Sequence, residues 1–272
     1  MTFRQRRIIL NIILTIFSLA VIFPFYIMVV MGTYFSNDLF RGITILPSNY
    51  LFENLRTVMA GDFFRFFFNS VYVSIIATTG VVIVSAMAGY AFAKFEFTGK
   101  SIVFKVCLAT MMIPGQLGLI AFVWQINRMG MGNTHLPIII PPMASMFGVF
   151  WFMQFISGGV PNEIIESARI DGCSELRMFW VMVLPLIKPA ISSLGVLFFL
   201  WNWNSYIVPL VTISRENLFT IPLFIRSLRD MHRLDFGAQI LGLTIGTLPI
   251  ITLYLIFSKN FISGLTSSAI KG

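Results

Sequence analysis

The sequence predicts an all-α, polytopic membrane protein with about six transmembrane helices. Two observations predict it. Of the 272 residues, 57% are hydrophobic and only 11% are charged, where a soluble domain carries roughly 25% charged residues. A charged residue at the centre of a membrane helix costs about 2.5–3.5 kcal/mol, so a lipid solvent accounts for the deficit directly. The charges that remain are also segregated: six windows hold no Asp, Glu, Lys or Arg, and each is close to the roughly 20 residues needed to cross the hydrocarbon core.

The windows follow in order: Ile8 to Met31, Phe66 to Phe92, Val106 to Trp124, Leu136 to Ile156, Pro189 to Val211 and Phe236 to Phe257. The first follows Arg4, Arg6 and Arg7, as in a signal peptide, but its charge-free run reaches Asn37. That is far beyond the roughly 7–15 residues of a cleavable apolar region, and the segment reads as a retained first helix. Several windows contain proline, at Pro24, Pro114, Pro141, Pro142 and Pro249. Membrane helices tolerate this because neighbours can satisfy the freed backbone groups. Placing the N-terminus in the cytoplasm puts eleven Lys and Arg inside and eight outside, with the bias strongest at the first helix, which usually dominates orientation. Six spans return the C-terminus to the cytoplasm. Residues 1–272 read as one domain, with long outer segments at Gly32 to Arg65 and Thr212 to Asp235 and a cytoplasmic loop over 157–188.

The net charge of +8 does not indicate nucleic acid, because the basic residues lie in short segments between apolar runs, where orientation in the bilayer uses them. Cys107 and Cys173 belong to no C-x-x-C pair or His/Cys cluster and support neither a disulfide framework nor a zinc site.

The loop before the fifth window carries the functional signal. From Pro161 it reads P-N-E-I-I-E-S-A-R-I-D-G-C-S-E-L-R-M-F-W-V-M-V-L-P-L. Pro161 starts a helix, with Glu163 and Glu166 near its positive end. Ser167 and Ala168 are small enough for close approach. Gly172 closes the helix and permits a left-handed turn. A second helix, Ser174 to Val183, leads to Leu184-Pro185. The result is a helix–turn–helix with a protruding turn, suited to docking in a partner's groove.

This segment resembles the motif of permeases of binding-protein-dependent ABC importers: E-A-A, three residues, G, nine residues, I-x-L-P. Glu166-Ser167-Ala168, Gly172 and Met182-Val183-Leu184-Pro185 meet that spacing, with Ser167 in place of alanine and Met182 in place of isoleucine. Asn69-Ser70 and Gly89 to Lys94 resemble the same family; Met112-Ile113-Pro114, Trp203-Asn204, Leu184-Pro185 with Lys188-Pro189, Gly264-Leu265-Thr266 and Ile270-Lys271-Gly272 are similar to its carbohydrate-importer permeases of the maltose type, the last two to the smaller of that type's two permeases. The resemblance implies a type I importer permease fold, a second homologous permease, an ATPase dimer and an external sugar-binding protein, with a di- or oligosaccharide as cargo. It implies that Glu166 makes a charged contact with the ATPase, that Gly172 gives the turn of the coupling helix with Asp171 capping it or in contact there, and that Pro185 marks the return to the membrane. It also implies that the tail 259–272 touches the ATPase and the outer segment near Thr212 to Asp235 reaches the binding protein. It implies, finally, that no cofactor belongs to this chain, ATP and Mg being held by the partner ATPase.

Other features have blander readings. Thr98-Gly99-Lys100-Ser101 imitates the end of a phosphate loop, but the full pattern requires glycine where Lys94 stands. Asn202, Trp203 and Asn204 put amides in an apolar run, open to two readings, sugar contact along the substrate pathway or helix packing. Gly242 and Gly246 have the spacing of close helix packing, and His135 and His232 are isolated. A stand-alone secondary sugar transporter is the rival reading. Proton coupling by such a protein would call for intramembrane acids, and the six windows contain none. A membrane enzyme is the weakest reading, since no H-E-x-x-H, paired acids or Ser/His/Asp grouping is present.

Overall fold

The computed structural model describes residues 3–42, 45–60, 62–230 and 233–269. Its first helices are α1 (Phe3–Met31), α2 (Leu51–Met59), α3 (Phe63–Lys94), α4 (Lys100–Thr110), α5 (Leu119–Arg128), α6 (Leu136–Met143) and α7 (Met146–Gly159). They continue with α8 (Asn162–Ile170), α9 (Glu175–Met178), α10 (Leu184–Leu186), α11 (Lys188–Trp203), α12 (Ile207–Thr212), α13 (Ile221–Ser227) and α14 (Phe236–Ala269). A two-residue antiparallel pair, Arg229–Asp230 with Arg233–Leu234, precedes α14. The protein is therefore all-α in architecture.

Four stretches are long and apolar enough to cross a membrane as they stand: Arg4–Met31, Phe63–Lys94, Leu136–Gly159 and Phe236–Phe257. Two bent pairs would bring the number up to six if each is one span: Lys100–Thr110 with Gly115–Arg128, bent by 84°, and Glu175–Leu186 with Lys188–Trp203, bent by 83°. The third and fifth windows thus differ from the uniform spans expected. In the third, Pro114 is extended (φ −60°, ψ 123°) and a short 3-10 turn, Gly115–Gly118, precedes α5. Proline has no N–H and pushes the residue before it out of the helical region, so the helix ends there and restarts in a new direction. In the fifth, α11 stops at Trp203 and helix resumes only at Ile207.

Two compact units make up the chain. The first comprises Met1–Phe64 and Ile221–Leu248. Residues 4–26 of α1 are all exposed, as an apolar helix surrounded by lipid would be. Beyond α1, buried Asn54 of α2 donates to the carbonyls of Gly32 (2.9 Å) and Tyr34 (2.8 Å). Asp235 caps α14 by accepting from the Ala238 N–H at 3.0 Å and from the Ser36 hydroxyl at 2.7 Å. The Gly242/Gly246 pair admits α13: an added Cβ would lie 3.3 Å from Ile225 and 3.2 Å from Ile221, respectively. Close packing is what that spacing predicts, and the partner is this short buried helix.

The second unit comprises Arg65–Thr220 and Pro249–Gly272. Its axis is α3, whose buried residues Ser70, Val73, Ser74, Ala77, Val81, Ser85, Ala86 and Tyr90 recur at helical spacing. Most are small, which allows backbones to approach closely. At Gly89 an added Cβ would lie 2.7 Å from Phe152 Cβ and 2.9 Å from the Met153 nitrogen of α7. One core then runs from α3 through Phe152 and Ile156 of α7, Ile165 of α8 and Met178 of α9 to Leu194 and Phe198 of α11.

Because the Gly89 contact is partly with backbone, a side chain there cannot be turned aside. Gly89→Val is expected to destabilise the protein by at least about 1–3 kcal/mol. Gly195→Ala, where an added Cβ meets nothing within 4 Å, is expected to be neutral. Thermal unfolding in detergent checks this, and equal melting of the two variants would contradict the packing described.

Candidate functional site

The segment 161–187 folds as a helical hairpin whose geometry follows from its residues. Pro161, extended at φ −60° and ψ 141°, occupies the N-cap of α8, Glu163 lies in the first turn and Arg169 in the last. This charge order complements the helix dipole. Ile165 and Ala168 are buried, whereas Glu163, Glu166, Ser167 and Ile170 are exposed, so one face of α8 packs and the other is open.

The turn is a Schellman motif. The Cys173 N–H donates to the Ala168 carbonyl (2.9 Å) and the Gly172 N–H to the Arg169 carbonyl (3.0 Å), satisfying two helix-end carbonyls. Gly172 has φ +75° with nothing within 4 Å of an added Cβ. Glycine is therefore required there by backbone conformation alone. Open space around Gly172, with Ile170 87% exposed and Leu176 62% exposed, makes the turn a protruding apolar tip.

The return arm starts at Ser174 and runs through α9, a π-helical turn Phe179–Val183 and α10. The π turn has a covalent origin: Pro185 has no N–H for the Val181 carbonyl and its ring crowds that carbonyl, and the wider turn absorbs the misfit. The Leu184 N–H accordingly bonds to the Phe179 carbonyl, five residues back. The 83° bend into α11 falls at Ile187, two residues beyond Pro185.

Glu175 ties the hairpin together and to the membrane helices. Its carboxylate accepts from Arg169 Nε of α8 at 2.7 Å and from the Tyr90 hydroxyl of α3 at 2.7 Å. The hydrogen bond to Glu175 raises the Arg169 pKa above its ordinary value, against a smaller opposing effect of burial. Arg169 also lies over the Phe95 ring, 5.5 Å from its centroid. At the base of the hairpin, Lys94 Nζ donates to the Val160 carbonyl (2.6 Å) and Asn162 Oδ1 (2.5 Å). Lys94 thereby caps the end of α7 and pins the start of α8.

The residues singled out in the sequence fall into distinct places. Glu166, Ser167, Asp171 and Gly172 lie on the exposed side of the hairpin. Ala168 is 7% exposed and belongs to the core, so its small size serves the packing of α8 on its own protein. Leu184 is half-buried against the same core and Pro185 is exposed. The Asn202, Trp203 and Asn204 triplet is split. Trp203 is 2% exposed and stacks on Phe199 at 5.7 Å, Asn204 caps its own helix by donating to the Leu200 carbonyl at 2.9 Å, and Asn202 lines a cavity of about 380 Å³. His135 is buried between the Tyr72 hydroxyl and the Leu218 carbonyl. His232 and residues 270–272 lie outside the described residues, and the described part of the 259–272 tail continues α14 to Ala269.

Sequence reading missed the Arg169–Glu175–Tyr90 link and the Ile170/Leu176 tip. A signal for the first was present: opposite charges six apart across a helix-ending glycine meet when the turn is a Schellman motif. Tyr90 had no such signal, since its approach depends on tertiary packing.

The fold is an apolar helical bundle with a surface hairpin built into its core. The chain belongs to the family described as binding-protein-dependent transport system inner membrane component, which it matches over residues 80–267. It is a multi-pass protein of the cytoplasmic membrane. It is 30% identical to the arabinooligosaccharides transport system permease protein of Bacillus subtilis, covering 99% of this chain and 98% of that protein. It is also 30% identical to the lactose transport system permease protein of Rhizobium radiobacter (94% and 93%). To the sn-glycerol-3-phosphate transport system permease protein of Pectobacterium atrosepticum it is 32% identical (95% and 95%). Its fold is similar to that of a chain in a bacterial ABC transporter involved in the import of the acidic polysaccharide alginate, with a TM-score of 0.79, 20% identity and coverage of 95% and 97%.

The Glu175 link can be tested without any partner. Tyr90→Phe is expected to weaken the hairpin's attachment by about 1 kcal/mol, the net worth of one hydrogen bond, and Glu175→Gln to weaken it further by discharging the Arg169 contact. Trypsin cleavage after Arg169 or Arg177 in detergent should accelerate in both variants. Cleavage at the unaltered rate would show that the link does not hold the hairpin.

Proposed function

We propose that this chain is the permease subunit of an ATP-driven importer of a di- or oligosaccharide, forming half of the translocation pathway and working by alternating access. The observation that carries this reading is the hairpin, which is exposed at its tip and shares its underside with the membrane core. A partner that moves the tip moves α3, α7 and α11 with it. Family membership and relatives named for arabinooligosaccharide and lactose transport support the cargo class. They weigh against a stand-alone secondary sugar transporter.

In this reading residues 1–272 act as one permease domain with both termini cytoplasmic, and the loop 157–188 docks on an ATPase dimer that holds ATP and Mg. This chain holds no cofactor. Glu166 contacts a basic residue of the ATPase, and Ser167 lets that partner approach. Asp171 and Gly172 form the turn that enters its groove, with Ile170 and Leu176 as its apolar surface. Ala168 and Leu184 position the two arms on the core, and Pro185 with its π turn leads back to the membrane. The tail 259–272 lies near the ATPase. A second homologous permease completes the pathway, an extracytoplasmic sugar-binding protein delivers cargo near Thr212 to Asp235, and Asn202 lies on the substrate side. The permease must have two packings of similar energy, biased by ATP binding in the partner.

Two variants test the docking role in the assembled transporter. Glu166→Lys reverses the contact charge and is expected to reduce ATPase co-purification several-fold; undiminished recovery would remove Glu166 from the interface. Gly172→Pro is incompatible with the φ of +75°, because proline is fixed near −65°. It is expected to abolish ATP-driven uptake while the protein still inserts, and normal uptake would refute a mechanical role for the turn.

A further inference from the structure

Three helix interruptions meet at the cavity beside Asn202. One wall comes from the glycine turn after Pro114, through Gly115 and Gly118, and another from the gap between α11 and α12, through Asn202 and Ser205. The third comes from α6, through Pro137 and Ile138. Pro141 and Pro142 have no N–H, so the carbonyls of Pro137 and Ile138 have no donor four residues on. Both of those residues line the cavity. Within a membrane, irregular backbone is tolerated where it is buried in protein or lines a cavity, and discontinuous helices are a recurrent way of building central transport sites.

The chemistry of this wall is specific. Asn202 is 9% exposed, and its amide nitrogen makes only a long contact, 3.4 Å, to Thr78 Oγ1. Its amide oxygen has no hydrogen-bond partner among the described residues. The Ser205 hydroxyl likewise has none. The polar side chains on this lining are the Asn202 amide and the Ser205 hydroxyl, and no lining residue is charged. An amide and a hydroxyl without a counter-charge suit a ligand that brings neutral donors and acceptors. The volume of about 380 Å³ falls in the roughly 300–1,000 Å³ range of small-molecule sites, and the remaining apolar lining suits the C–H faces of a sugar ring.

We infer that this cavity is a subsite for a neutral, hydroxyl-rich segment of the cargo, contacted by Asn202 and Ser205, and that it disfavours anionic cargo. A carboxylate or phosphate there would find no cation to offset its desolvation. The inference rests on the importer reading and narrows it: among the transport chemistries of its relatives, it selects neutral sugar over glycerol phosphate.

The test uses the complete transporter with its ATPase, partner permease and binding protein. Lactose and arabinotriose serve as neutral probes, and sn-glycerol 3-phosphate as the anionic one. Asn202→Leu and Ser205→Ala are each expected to lower uptake of the neutral probe that the wild type transports by about fivefold or more, the loss of a hydrogen bond or two. A Ser205→Cys variant in a Cys107→Ser, Cys173→Ser background is expected to be shielded from maleimide by that probe, a readout that survives if Asn202→Leu fails to assemble. Unchanged uptake with no shielding would overturn the subsite, as would a wild-type transporter that carries sn-glycerol 3-phosphate and neither neutral sugar. Failure of the importer reading looks different: no ATP-dependent uptake of any probe by the wild type.

Discussion

The second unit depends on one continuous core that does not stop at the end of the membrane helices. Tyr90 shows how this is achieved. Its ring is buried with Phe179 and Phe95 at 5.9 and 5.6 Å, and its hydroxyl holds Glu175 of the hairpin. Lys94, one turn further along the same helix, closes the other end of the hairpin. A surface loop held only by exposed charges would move independently, since such pairs contribute little. Here Ile165, Ala168, Met178 and Val183 are buried together with Phe152 and Leu194. Close-packed interiors transmit displacement because they have few voids to absorb it.

Proline appears in two roles. Pro185 widens a helix by one residue and is absorbed within it as a π turn, whereas Pro114 ends a helix outright. The surroundings account for the difference. Pro185 follows a run of core residues that keeps the preceding turns helical up to the bend at Ile187, while Pro114 is followed by Gly115 and Gly118, which favour no continuation. In the second case the chain turns by 84° and its backbone becomes part of a cavity wall.

Burial also separates neighbours with similar sequence credentials. Ser167 and Ala168 are adjacent and both small, yet one faces outward and the other inward, because α8 advances about 100° per residue around its axis. Asn202, Trp203 and Asn204 are divided in the same way among cavity, core and helix cap.

The sequence by itself determined the membrane class and the hairpin. Charge exclusion from lipid and the φ > 0 requirement at Gly172 act on composition and on single positions, so they can be read residue by residue. The bend after Pro114 and the break after Trp203 were visible as proline and amides but not as geometry, since a proline can be absorbed or can end a helix. Tertiary structure alone decided that Glu175 reaches Tyr90, 85 residues away in the chain, that Gly246 admits Ile221, and that the interruptions at Pro114, Pro141–Pro142 and Asn204 border one cavity. Those facts depend on which helices are neighbours, and neighbourhood is set by the fit of whole faces, which no local pattern in the chain encodes.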